Sequence, residues 1–188
     1  MPERGNRALM RDKQTSGFTL LELMLTIAVL GVMASFAVPS FLETIRVNQI
    51  VTNNNELVTA MTLARSEAIK RGTRVTVCRS ADAATCAGAG GWEDGWIVFE
   101  DPANFGTVDG GEQVLRTWEA ATNGVTMRAT GSFTNWVSFV GSGETRATPT
   151  NNGSFRVCGD NAEPLEGRTI NIGLIGYAST VRGAAACP

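Results

Sequence analysis

The sequence predicts an α+β protein in which a long N-terminal helix packs on an antiparallel β-sheet domain. Three observations predict it. Residues Phe18 to Val38 form an apolar run broken only by Glu22 and a few small polar side chains. From Val47 to Ala68, apolar residues recur at steps of three and four, as one face of a helix requires. After Gly72 the apolar period falls to two, and turn residues punctuate short β-prone runs.

At 188 residues, 43% hydrophobic and 18% charged, the chain suits one folded domain with an appendage. Its first segment, residues 1–17, reads as a leader carrying Arg4, Arg7, Arg11 and Lys13 against Glu3 and Asp12. Taking these four cations from the 16 and two acids from the 18 leaves 12 basic and 16 acidic residues, a charge of −4. Such a domain has no global field for nucleic acid. Histidine is absent, which excludes Ser-His-Asp and Cys-His catalysis and removes the commonest metal ligand.

The apolar run of 21 residues from Phe18 to Val38 would make a helix about 30 Å long, the thickness of a bilayer's hydrocarbon core. Residues 18–41 therefore read as a transmembrane segment. All four leader cations precede it, so the positive-inside rule keeps the N-terminus cytoplasmic and exports everything after Phe41. A secretory signal cut near Ala34 or Ala37 would need neither this length nor a carboxylate. Glu22 is the informative residue. A carboxylate inside a membrane helix costs about 2.5–3.5 kcal/mol and needs a cation, which the segment itself does not supply.

Gly17-Phe18-Thr19-Leu20-Leu21-Glu22-Leu23 resembles the class III signal of type IV prepilins. The resemblance implies cleavage after Gly17 by a prepilin peptidase and N-methylation of Phe18. It also implies that Glu22 pairs with the N-terminal amine of a neighbouring subunit. Pro39 stands where pilins often carry a helix kink, since proline cannot make the i→i−4 bond.

Residues 42–72 continue the helix as an amphipathic extension whose apolar stripe faces its own sheet. Asn53-Asn54-Asn55 is its weak point in helix propensity, and Gly72 is its expected C′ cap. Residues 73–188 form the β domain. The expected strands are Thr73–Cys78, Gly95–Glu100, Gln113–Trp118, Val125–Ala129, Trp136–Val140, Ser154–Cys158, Arg168–Ile172 and Tyr177–Val181.

Cys78, Cys86, Cys158 and Cys187 include no CxxC pair and fit no zinc spacing, which points to two disulfides in an oxidising compartment. Of the three possible pairings, Cys78–Cys86 with Cys158–Cys187 is favoured, because each closes a short loop within one β region. Glu93/Asp94 and Glu100/Asp101 read as solvated loop charge, Asp109-Gly110-Gly111-Glu112 lacks a calcium loop's alternating oxygens, and the four tryptophans read as packing. No enzymatic constellation, metal site, cofactor or small-molecule substrate is expected.

Leu63-Ala64-Arg65-Ser66-Glu67-Ala68-Ile69-Lys70-Arg71-Gly72, then Val75-Thr76-Val77-Cys78 and Gly95-Trp96-Ile97-Val98-Phe99, resembles the GspH/FimT group of minor pilins and pseudopilins. This implies a pilin-like fold and a low-abundance, non-enzymatic subunit at or near a filament tip, helping to initiate assembly for pilus biogenesis and twitching motility. A pseudopilin of a type II protein secretion system is the alternative. Its partners would be the prepilin peptidase, the inner membrane, and other minor and major pilins or pseudopilins. It would begin as a single-pass inner-membrane protein with a periplasmic C-terminal domain and then enter a pilus, at the cell surface, or a pseudopilus. Some FimT-like members are DNA receptors for natural transformation, with a Gly-Arg pair followed by further arginines in the tail. Here Gly167-Arg168 is followed only by Arg182, so these two give at most a weak DNA contact and nucleic acid is not an expected partner.

Overall fold

The computed structural model describes residues 17–121, 124–147, 150–159 and 166–183, in two units, Met1–Leu42 and Glu43–Pro188. A 52-residue helix, α1 (Leu20–Arg71), contributes to both, and the boundary falls three residues past Pro39. In the first unit every described residue of α1 is exposed. Its apolar side chains point around the full girth of the helix, the pattern of a helix made for lipid or for other helices. Thr26 and Ser35 return their hydroxyls to the carbonyls of Leu23 and Val32, which keeps them satisfied without solvent.

In the second unit the rest of α1 packs on nine strands. They are β1 (Val75–Arg79), β2 (Trp96–Glu100), β3 (Val114–Trp118), β4 (Val125–Gly131), β5 (Trp136–Phe139), β6 (Thr145–Arg146), β7 (Gly153–Gly159), β8 (Arg168–Ile172) and β9 (Ala178–Arg182). They make two antiparallel sheets, β3-β2-β1-β5-β6 and β4-β7-β8-β9. The eight expected strands are present, shifted at their ends by at most two residues, and β6 is an addition two residues long. The division into two sheets is not visible in a period of two, which marks a strand but names no partner.

One core holds the unit together. Ile50, Leu57, Met61, Ala64 and Ala68 of α1 meet Val75, Val77, Trp96 and Val98 of the first sheet and Met127, Phe155, Val157 and Ile170 of the second. The other face of the first sheet carries a smaller cluster of Cys78, Ile97 and Phe99. Alternation along β1 and β2 therefore feeds two hydrophobic layers. Gly72, at φ +66°, closes α1 by donating its N–H to the Ala68 carbonyl at 2.9 Å, as an αL cap requires.

Two expectations are corrected. The asparagine triplet does not loosen α1: Asn53 and Asn54 are buried, and Asn53 Nδ2 donates to the Gln49 carbonyl at 2.9 Å. Tertiary burial overrides their weak propensity. Asp101 is not solvated loop charge but fully buried. Its carboxylate accepts from Arg74 Nη2 at 2.8 Å, Thr76 Oγ1 at 2.6 Å and the Gly106 N–H at 2.9 Å, pinning the β2–β3 loop to β1. Glu93 is also engaged, pairing with Arg128, and Asp94 accepts the Gly91 N–H.

Candidate functional site

The candidate assembly site is the first turn of α1 and the apolar surface behind it. Gly17, Phe18 and Thr19 precede the helix in non-helical backbone, and Phe18 is 85% exposed. The Gly17–Phe18 peptide bond thus lies outside the helical hydrogen-bond ladder. The rest of the leader, residues 1–16, lies outside the described residues.

Thr19 is the N-cap. Its Oγ1 accepts the Glu22 N–H at 3.2 Å, satisfying one of the four orphan donors of the helix start. Glu22 is the third helical residue, so Thr19-Leu20-Leu21-Glu22 has the spacing of a capping box. Its carboxylate also sits at the positive end of the helix dipole. The sequence reading missed this local role, although T-x-x-E before an apolar run is the signal for it. Glu22 is exposed and has no ion pair among the described residues.

Behind Glu22 the helix is long and apolar enough to cross a membrane, with none of its most apolar window buried. From Leu20 to Phe41 the large apolar side chains are 48–77% exposed. Burying each of them elsewhere would yield about 1.5–3 kcal/mol. Pro39 lies inside α1, where it leaves the Ser35 carbonyl without its i+4 donor.

The disulfide residues sit elsewhere. Cys78, on β1, is bonded to Cys86 across the β1–β2 loop. Within that loop Asp82 accepts the Ala84 and Thr85 N–H groups at 2.9 and 2.8 Å and the Thr85 hydroxyl at 2.6 Å. These bonds hold Ala83 at φ +58°, a left-handed conformation rare for alanine. The Thr85 hydroxyl and N–H, then the Ala84 N–H and Ser80 hydroxyl, hold the Asp82 carboxyl well below the usual carboxylate range. Cys158, in β7, is also disulfide-bonded, and Cys187 lies outside the described residues.

Arg168 and Arg182 are brought together as direct cross-strand partners of β8 and β9. Arg168 Nη1 donates to the carbonyls of Glu166 and Gly167 at 2.8 and 3.1 Å. Among the described residues no three His, Cys, Asp or Glu side chains gather as a metal site.

Comparison with known proteins places this geometry. Residues 53–176 match the family described as Type II transport protein GspH, and residues 12–38 match the Prokaryotic N-terminal methylation motif. The type IV major fimbrial protein FimA of Dichelobacter nodosus is 33% identical over 78 residues, 42% of this chain. The chain spans just under half of that relative, 46% of its length. The type IV minor pilin FimU of Pseudomonas aeruginosa superposes with a TM-score of 0.58 at 17% identity, over 75% of this chain and 96% of that one. The minor pseudopilin EpsH of the Vibrio cholerae type II secretion system superposes at 0.50 with 11% identity, over 73% of this chain and 98% of that one. The helix-on-sheet architecture is thus the pilin fold.

Proposed function

Because the chain belongs to the GspH family of minor pilins and pseudopilins and carries the N-terminal methylation motif, we propose that it is a minor pilin of a type IV pilus. It is non-enzymatic and helps to initiate the filament, in a priming complex that ends at the tip and serves pilus biogenesis and twitching motility. A prepilin peptidase cuts the Gly17–Phe18 bond and Phe18 is N-methylated. The anchored precursor holds its C-terminal domain in the periplasm until other minor and major pilins take it up.

The observation that supports this reading is the apolar surface of α1 from Leu20 to Phe41, whose large apolar side chains are exposed among the described residues. In a bilayer, lipid covers it. In a filament, the same residues of neighbouring subunits do, and helix exchange for lipid is close to neutral in hydrophobic energy. Glu22 then sets register, because its carboxylate in an apolar bundle needs the cation that a neighbour's Phe18 amine supplies. A Pro39 kink would let the two stretches of α1 take different directions.

The test is Glu22→Ala, expressed as full chain. The variant should accumulate in the membrane with its globular domain folded, and be lost from sheared filaments. Recovery there at the wild-type level would overturn the reading. A second reading, a pseudopilin of a type II secretion machine, is favoured by the family's description and by the superposition on EpsH. The minor subunits that co-purify with the chain distinguish the two.

A further inference from the structure

Each sheet ends in two edge strands, and three of these four edges are blunted among the described residues. An open edge is a row of unpaired N–H and C=O groups, which folds commonly cover or interrupt. β6 is two residues long, and its Thr145 N–H donates to the Leu174 carbonyl at 2.9 Å. On β4 the Met127 N–H donates to Glu93 Oε2 at 3.2 Å. β3 is interrupted by a register shift against β2 between Val98 and Phe99.

β9 has none of these devices. Its five residues pair with β8 without a shift and include no proline, and its one charge, Arg182, stands at the end. The Gly183 N–H donates to the Gly167 carbonyl at 2.8 Å, which fixes the phase of the ladder. Ser179 and Val181 therefore bond to β8, while Ala178, Thr180 and Arg182 turn their N–H and C=O groups outward. None of these six groups has a partner among the described residues.

Apolar exposure falls at the same place. Beyond Ile45, six large apolar side chains are exposed among the described residues, and four of them belong to the β8–β9 hairpin. These are Leu174, Ile175, Tyr177 and Val181, at 52–66% exposure. An open edge beside exposed apolar side chains suits the addition of another strand. Asn54 of α1 is a second sign. It is buried, its Nδ2 reaches Thr180 Oγ1 at 3.5 Å, and its Oδ1 has no hydrogen-bond partner.

We propose that β9 is a docking edge for β9 of a second copy of this chain, antiparallel about Thr180. The register argues for a second copy. With the axis at Thr180, that residue faces the partner's Thr180, and Ala178 faces the partner's Arg182. Every residue so paired has its backbone groups turned outward, and each pair exchanges two bonds. Six hydrogen bonds would then satisfy every open group on both edges. An axis at Arg182 would instead oppose two like charges. Tyr177 faces the partner's Gly183, which has no side chain to obstruct the ring. The partner's Thr180 hydroxyl comes to the face that carries Asn54 and is a donor for its open Oδ1. A five-residue strand buries less than the roughly 1,200–2,000 Å² of a stable interface, so the pair should be weak in dilute solution. Two copies held in one membrane meet at a raised effective concentration, a step that rests on the anchored reading above.

The test is oxidative cross-linking of the full chain in the membranes where it is expressed, with one cysteine added at a time. No described cysteine is free, so each addition reports on its own position. Thr180→Cys should give a disulfide-linked homodimer. Ser179→Cys alone and Val181→Cys alone should give none, because in this register their Cα atoms lie about 8 Å from their own copies, beyond a disulfide's reach. Co-expressed, those two variants should cross-link to each other. Thr180→Pro removes an N–H that bonds nothing within the chain, so thermal unfolding should be little changed while the Ser179→Cys to Val181→Cys cross-link falls about tenfold. Equal cross-linking at all three positions, or none at any, would overturn the pairing. Capture of the Thr180→Cys chain by a different protein would assign the edge to another subunit and reject the second copy. A chain found outside the membrane fraction would overturn the anchored reading alone, and the same pattern of cross-links, read in that fraction, would still decide the edge.

Discussion

The two stretches of α1 have the same backbone and opposite surroundings. From Leu20 to Ile45 the large apolar side chains are 48–77% exposed, whereas Ile50, Leu57, Ala60, Met61, Ala64 and Ala68 are 0–1% exposed. The second stretch is stabilised within its own chain, by the core it shares with both sheets. The first has no such core, so its apolar energy belongs to lipid or to another subunit. On the proposed function, folding of the domain and assembly of the filament should be separable, and substitutions should divide along that line.

The largest expected effect is in the core. Phe155 packs edge-on to Trp92 at 4.9 Å and stacks on Phe133 at 5.7 Å between ring centroids. Phe155→Ala should cost about 3–5 kcal/mol of domain stability in denaturant unfolding. Leu25→Ala, in the exposed stretch, should change it by no more than about 0.5 kcal/mol. A comparable loss from both would erase the distinction.

Next comes the buried carboxylate. Asp101→Ala strips Arg74 and Thr76 of their shared acceptor and should cost about 3 kcal/mol, read by the same unfolding measurement. Replacing Cys78 and Cys86 together by serine opens a loop of sequence separation 8 and should cost about 2–3 kcal/mol on the chain-entropy account. Filament incorporation of the surviving folded fraction should be unaffected by either change.

A smaller effect is one of pH. The Asp82 carboxyl is depressed in the folded chain by the Thr85, Ala84 and Ser80 donors. A folded pKa below the unfolded one favours folding at pH above about 4, and this contribution fades as pH falls through the folded value. Asp82→Asn should flatten the acid limb of a stability-versus-pH curve measured between about pH 5 and 2, by lowering the neutral plateau toward the acid value rather than by raising the acid end. The smallest is at Ala83, whose positive φ makes Ala83→Gly stabilising or neutral, by at most about 1 kcal/mol.

Much of this was legible in the residues because periodicity and punctuation are local. The change from steps of three and four to steps of two located the end of α1, and Gly72 marked its cap. The GFTLLEL signal and the apolar run pointed to the same first turn that the structure caps with Thr19. What escaped was non-local. Two sheets rather than one, the burial of Asn53 and Asn54, and the capture of Asp101 by Arg74 and Thr76 all depend on which strands and helix faces meet. A carboxylate beside a turn looks the same in sequence whether water or a guanidinium satisfies it. The proposed partner of Glu22 belongs to another subunit, which one chain's sequence does not contain.

The central claim is that the chain is cut at Gly17–Phe18 and held in a filament by the helix that follows. Intact mass of the protein recovered from membranes and from sheared filaments tests it most directly. The account predicts a mass lacking residues 1–17, carrying one added methyl group and the hydrogen losses of two disulfides, in both fractions. A full-length mass, or a chain beginning near Ala37, would contradict it, because neither leaves Phe18 as the free N-terminus that Glu22 is proposed to meet.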